Sequence, residues 1–444
     1  MGFQLGECDA GVVSSRGEKT PATAIPLPEL QYLYEANAPQ AFWRLMRDPL
    51  PTVEEWTAAI DAASTSLPPS AVREGTEITV LLGQILGEGQ FGSGHWNLGL
   101  AKRIYYQLKP LLPRGMTRIM RQIHAISAQH SFPLRWPIED RYARFQWEIV
   151  RQLLNLCGDN ALEFVYFWPH GHQFAFALTH DIETAEGQAA VRMVADLEEE
   201  LGYRSSFNFV PERYELDHGL MGELRARGFE IGVHGLTHDG RLFSSRGEFM
   251  RRAARINEYL KELDAVGFRA PLTHRHPEWM QALEIEYDSS FFDTDPFEPI
   301  PGGTMSIWPF QIGRFVELPY TLPQDYTLTA IMREKTSRVW LQKVKFIKDH
   351  YGMALVNTHP DYLKAPEAWR VYEGFLHAIR RMGDYWNALP RDIARWWQAR
   401  ATSDSVGSLP GAVRGVLKIA ALNGLDVRPM RGSISQRSHS IIDN

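Results

Sequence analysis

The sequence predicts an α/β fold in which a largely parallel sheet is covered by helices. Three observations lead there. Short β-branched or aromatic runs alternate with helix-like stretches through the middle of the chain. The 444 residues are 44% hydrophobic and 23% charged, a balance that supports one core of roughly 250 residues plus a smaller region. The reactive residues cluster just after the apolar runs, at the ends of the predicted strands, where a barrel of this class collects its functional groups.

The elements follow in order. Residues 1–28 are polar and rich in Gly, Ser, Thr and Pro, and read as a flexible N-terminal arm. Residues 29–165 read as a mostly helical region. Within it, PTVEEWTAAIDAA is a helix opened by Pro51 and Thr52. The basic stretch AKRIYYQLKPLLPRGMTRIMRQIHAI, interrupted by Pro110 and Pro113, reads most simply as a solvated helix face. Peripheral membrane contact is its weaker alternative. Residues 166–400 carry the alternation. FAFALT precedes AAVRMVADLEEEL, SSFNFV precedes GLMGELRARG, and FEIGV precedes SRGEFMRRAARINEYLKEL. GFRA, EYDSSF, RFVELP and MALVN are the later strand-like runs, and WNALPRDIARWWQAR closes the region as an amphipathic helix. Residues 401–444 are Ser- and Gly-rich and read as a loosely ordered tail.

Composition narrows the function classes. A net charge of −6 argues against a nucleic-acid partner. With only Cys8 and Cys157 there is neither a disulfide framework nor a Cys-rich zinc site, which points to a reducing compartment. The first residues lack a basic segment followed by an apolar one, so the expected location is cytoplasmic. No apolar run is long enough to span a bilayer.

The tetrapeptide Leu-Thr-His-Asp occurs twice, at 178–181 and at 236–239, each time after an apolar run. In the first copy, strand alternation puts Asp181 and Glu183 on one side and His180 on the other. Two acids on one face repel unless a cation, a proton or solvent relieves them. The second copy reads better as HGLTH. A helical turn would bring His234 and His238, spaced i, i+4, to one ion, and Gly235 permits a sharp exit from the strand. One carboxylate plus two imidazoles leaves open positions on zinc, as a catalytic metal requires. Downstream, Arg269 in GFRAP is either a surface cation or the partner of a catalytic carboxylate. Asp288 in YDSSFFD, with Asp293 and Asp295 beyond it, is either a turn acid or a site acid. His359 in LVNTHP is a candidate general acid or a loop-bonded structural histidine.

Taken in order, ALTHDIE, HGLTH, FRAP, YDSSFFD and LVNTHP resemble the five motifs of the polysaccharide deacetylase family, the NodB-homology domains of carbohydrate esterase family 4. The first motif is similar to the subgroup reading His-Asp-apolar-acid. The resemblance covers about residues 170–400. It implies a distorted (β/α)7 barrel and a divalent metal ion, most often Zn2+ with Co2+, Ni2+ or Mn2+ as alternatives. It implies Glu183, His234 and His238 as metal ligands, Asp181 as base and Arg269 as its partner. It also implies His359 as general acid with Asp288 supporting it, and a backbone N–H after the histidine motif stabilising the oxyanion. The substrate it implies is an N-acetylated sugar or a polysaccharide or glycolipid precursor. Two departures stand out. Glu183 replaces an aspartate, which leaves open whether Asp181 or Glu183 binds the metal, and Gly235 stands where Ser or Thr is usual.

Three rival readings remain. An HD-type phosphohydrolase would also use His-Asp pairs, but on a helical fold. A catalytically inactive carbohydrate-binding or scaffold barrel would keep the fold alone. Related barrels hydrolyse other C–N bonds, including small cyclic amides.

Overall fold

The computed structural model describes residues 28–69, 71–72, 76–92, 95–96, 129, 131–403 and 406–419, and residues 425–429 as backbone. The arm at 1–27 and the basic stretch at 101–126 lie outside the described residues.

Among the described residues, the N-terminal region holds the α-helices Pro39–Trp43, Val53–Ser64, Ile78–Leu86 and Arg141–Leu156, after a 3-10 helix at Pro28–Asn37. Thr52 opens the second of these with a capping box. Its Oγ1 accepts the Glu55 N–H at 3.2 Å, and the Glu55 carboxylate accepts the Thr52 N–H at 2.7 Å. Helix Arg141–Leu156 buries Phe145, Ile149, Val150 and Leu153, one apolar stripe at helical spacing.

The strands are β1 (Ala161–Val165), β2 (Phe174–Ile182), β3 (Ser206–Phe209), β4 (Glu230–His234), β5 (Gly267–Arg269) and β6 (Tyr287–Asp288). They continue as β7 (Phe310–Ile312), β8 (Phe315–Glu317), β9 (Met353–Thr358), β10 (Tyr385–Asn387), β11 (Arg414–Ile419) and β12 (Leu425–Pro429). A nine-stranded sheet runs β10-β2-β3-β4-β5-β6-β8-β7, with β9 on the other side of β2. Every pairing in it is parallel except the β7–β8 hairpin. β2 is paired along both edges and is buried throughout, which is why it reads as one apolar run until Thr179. Beyond β8 the chain reaches across to β9, where the Leu322 N–H donates to Leu355 O at 3.1 Å. The Leu355 N–H in turn donates to Thr321 Oγ1 at 2.8 Å. The sheet thereby curls into the distorted barrel that the motifs imply.

Helices Ala185–Glu200, His218–Ala226 and Arg246–Glu262 connect β2 to β5, each opened by a side-chain cap from Thr184, Asp217 or Ser245. Helices Arg338–Asp349, Pro366–Met382 and Pro390–Thr402 complete the cover.

A second sheet stands apart, in the order β1-β11-β12. Residues 414–419 and 425–429, read from sequence as part of a loose tail, pair here antiparallel, with 161–165 facing 414–418. No helix among the described residues is long and apolar enough to cross a membrane.

Candidate active site

The two LTHD copies stand at the ends of β2 and β4, with β3 between them, and contribute different atoms. In the first, strand alternation turns His180 away from the site. It is fully buried and stacks on Phe207 at 4.6 Å. Its Nε2 lies 2.9 Å from Glu198 Oε1 and its Nδ1 2.7 Å from Thr358 Oγ1. Asp181 and Glu183 face the opposite way.

In the second copy His234 is the last residue of β4, and no helix follows. The expected helical turn is instead a loop with two left-handed residues, Gly235 at φ +65° and His238 at φ +54°. These fold the chain back until the two imidazole centroids lie 5.1 Å apart. Gly235 is needed twice over, because a Cβ there would also sit 2.2 Å from Pro271 Cγ.

Glu183 Oε1 lies 2.9 Å from His238 Nε2 and 4.0 Å from His234 Nε2. One ligand atom from each of Glu183, His234 and His238 falls within 4.8 Å of the others. His234 Nδ1 is 3.1 Å from Arg269 O, a contact only an N–H can make usefully. That tautomer leaves the Nε2 lone pair facing Glu183. His234 Nε2 has no hydrogen-bond partner among the described residues, and His238 Nε2 meets Glu183. Burial lowers the His234 pKa to about 4 and keeps the ring neutral. Burial alone would raise the Glu183 carboxyl, but His238, His359 and His234 hold it well below the usual carboxylate range. Two imidazole nitrogens and one carboxylate oxygen fit a tetrahedral divalent ion with a position left over.

Asp181, 3% exposed, sits beside this cluster with Oδ2 3.9 Å from His234 Nε2. Its Oδ1 accepts from Arg269 Nη1 at 3.1 Å and from Asn208 Nδ2 at 3.2 Å. Its Oδ2 accepts from Asn357 Nδ2 at 2.9 Å. Burial would raise its pKa, but His234, Arg269, His359 and Asn208 outweigh burial and lower it to about 2. Arg269 is itself anchored. Its Nε donates to Ser289 O at 2.9 Å, and its guanidinium lies 4.5 Å from the centroid of the Tyr320 ring.

His359 follows β9, with Nε2 3.7 Å from Glu183 Oε1. The carboxylate it touches is Asp325. Asp325 Oδ1 is 2.8 Å from His359 Nδ1, and Oδ2 accepts the His359 backbone N–H at 2.8 Å. Burial would lower the His359 pKa, but Asp325 together with Glu183 and Asp181 raises it to about 10.

Asp288 does not meet His359. It lies on β6 opposite Glu317 of β8 and accepts from Ser290 Oγ at 2.7 Å. Burial raises both carboxyls of this pair; Asp288 pushes Glu317 up further, while the hydrogen bond with Glu317 pulls Asp288 part of the way back. The expectation that Asp288 supports the general acid is corrected accordingly, because the carboxylate on His359 is Asp325, while Asp288 is taken up by Ser290 and faces Glu317. Asp293, from the same motif, is buried against Lys343 Nζ at 2.7 and 2.9 Å.

Pro360, directly after His359, has no N–H, and the N–H groups of Tyr362 and Leu363 bond back to His359 O. Of the aromatic residues near the motifs, Phe292 and Trp308 are core residues, and Trp279 stacks on His276 at 4.1 Å. Asp325, Asn208 and Asn357 were not anticipated. The signal available for the two asparagines was a polar amide inside an otherwise apolar strand run.

No family model and no curated protein sequence matches the chain. Among solved structures, a chain from Mycobacterium smegmatis assigned as a polysaccharide deacetylase is similar at 19% identity, covering 54% of this chain and 95% of that one, with a TM-score of 0.44. The allantoinase Puue is similar at 15% identity over 52% of this chain and 92% of that one, with a TM-score of 0.43. Peptidoglycan deacetylase PdaC from Bacillus subtilis is similar at 12% identity over 51% of this chain and 95% of its own, with a TM-score of 0.34. What this chain is similar to is thus, over about half its length, a set of solved chains that includes polysaccharide deacetylases.

Proposed function

We propose that this chain is a metal-dependent hydrolase of the polysaccharide deacetylase type, removing an acyl group, most simply N-acetyl, from an amino sugar in a polysaccharide or glycolipid precursor. The observation that supports this reading best is the cluster of Glu183, His234 and His238. Three ligand atoms converge there, the buried His234 Nε2 among them without a hydrogen-bond partner, beside one carboxylate held by an arginine and one histidine held by a carboxylate.

A divalent ion held by Glu183, His234 and His238 would polarise the acyl carbonyl and acidify water, with Zn2+ suiting the donor set and Co2+, Ni2+ or Mn2+ as substitutes. Asp181 is the base and takes the proton of the attacking water. Arg269 keeps Asp181 ionised and oriented. His359 is the acid: its Nε2 faces the site and delivers a proton to the leaving nitrogen as the C–N bond breaks. Asp325 holds the other ring nitrogen and stabilises the imidazolium. The products are a carboxylate such as acetate and a free amine.

The test combines elemental analysis with acetate release from N-acetylated amino sugars and their oligomers. Wild type is expected to carry about one divalent ion per chain and to release acetate. Asp181→Asn is expected to keep the ion and lose turnover, and His234→Ala with His238→Ala to lose both. A wild type that takes up no ion even with added zinc would overturn the reading, as would Asp181→Asn losing the ion while turning over normally once it is restored.

A further inference from the structure

Asp181 and Glu183 are two residues apart and face the same site, yet only one of them can serve as base. Asp181 Oδ2 is 3.9 Å from His234 Nε2, near enough that a free carboxylate would swing onto an ion held there. We propose that Asn208 and Asn357 are the positioning residues that prevent this, filling the lone pairs of Asp181 so that a single one, on Oδ2, is left for the reaction. This inference rests on the reading of Asp181 as the base.

The lone-pair count supports it. A carboxylate oxygen offers about two acceptor sites. On Oδ1 both are taken, by Asn208 Nδ2 at 3.2 Å and Arg269 Nη1 at 3.1 Å. On Oδ2 one is taken, by Asn357 Nδ2 at 2.9 Å. Arginine alone would neutralise the carboxylate without fixing its plane. The two amides come from β3 and from β9, on opposite sides of β2, and fix the plane without adding charge.

Neither amide can flip. Asn357 Oδ1 accepts from Arg269 Nη1 at 2.6 Å and from Thr179 Oγ1 at 3.3 Å, while its Nδ2 also reaches Gln324 Oε1 at 3.4 Å. Reversed, it would set its oxygen against Asp181 and its NH2 against the guanidinium. Asn208 Oδ1 accepts from Ser206 Oγ at 3.1 Å. Its seat exists because residue 232 is glycine. A Cβ there would lie 2.1 Å from Asn208 Oδ1.

The experiment uses the full chain loaded with Co2+, whose visible spectrum reports the number and geometry of its ligands. Asn357→Leu and Asn208→Ala are compared with wild type, each also in an Asp181→Asn background. Asn208→Ala guards against the larger change failing to fold, which circular dichroism checks. The expected result is a kcat for acetate release lower by roughly tenfold to a hundredfold with KM nearly unchanged. The Co2+ spectrum is expected to shift in both single variants and to revert in the Asp181→Asn background, because only a free carboxylate can add to the ion. An ion bound with an unaltered spectrum in both variants would overturn this inference alone. So would a spectral shift that persists without the Asp181 carboxylate. A wild type that binds Co2+ but releases no acetate would overturn the deacetylase reading, while the spectra still decide whether the asparagines restrain Asp181.

Discussion

Asp325 is bonded to His359 at two points, 2.8 Å from Nδ1 and 2.8 Å from the backbone N–H, although the two residues are 34 apart in sequence. A carboxylate gripping ring and main chain together fixes the tautomer, the ring plane and the loop at once. Asp325→Asn is expected to lower kcat by roughly 10²-fold or more, the scale of a disabled general acid, with little change in KM. Asp288→Asn, whose carboxyl faces Glu317, is expected to leave kcat within about threefold. Steady-state acetate release on the two variants checks both, and a larger loss in Asp288→Asn would reverse the assignment.

Glu88 and Arg275 join the N-terminal region to the barrel through a fully buried ion pair, with Nη2–Oε1 at 2.6 Å and Nε–Oε2 at 2.8 Å. Arg275 is wedged between the Phe291 and Phe292 rings, each centroid 5.2 Å away. A Cβ on Gly302 would come within 2.0 Å of the guanidinium. Removing one member strands the other as a buried charge, so Glu88→Ala is expected to cost about 3–5 kcal/mol. Denaturant unfolding of the full chain measures it. A loss below about 1 kcal/mol would show that the two regions hold together by other contacts.

Glu230 supplies a pH effect distant from the ligand cluster. It is buried at the start of β4, accepting from Tyr287 Oη at 2.9 Å and from the Arg391 N–H at 3.2 Å. Burial raises its carboxyl pKa from 4.5 to about 7. The folded state therefore holds a proton between those values that the unfolded state has released. Its contribution to stability is fully present below about pH 4.5 and falls away as pH rises through 7, by an amount on the order of 3 kcal/mol. Glu230→Gln is expected to flatten that part of the stability curve between pH 5 and 8. Identical pH profiles for wild type and variant would show that Glu230 ionises normally in the fold.

Much of this site can be read from the one-dimensional text, for a physical reason. β2, β4, β5 and β9 are short apolar runs, and a parallel strand delivers whatever follows it to the same end of the sheet. Asp181, Glu183, His234, Arg269 and His359 all stand at such ends, so the order of runs locates them. Asp325 escapes that logic because it lies in the connection after β8, where an acid looks like any turn residue. Asn208 and Asn357 escape it because period-2 reading takes an amide in a strand as a solvent-facing position. Here both point inward. The left-handed His238 shows the same limit: i, i+4 spacing implies proximity on a helix, and a loop with two positive φ values achieves that proximity by another path.

The pairing of β1 with β11 has a practical side. Residues 161–165 sit just ahead of the barrel and their partners 414–418 just behind it, so the two ends of the barrel segment are fastened to each other by a ladder. A shortened protein ending at residue 400 would keep every group near the ligand cluster and still leave β1 with a bare row of N–H and C=O groups. A naked edge of that kind is an invitation to stack on another molecule. The segment after 400 thus covers that edge from the far end of the chain, without contributing a group to the ligand cluster.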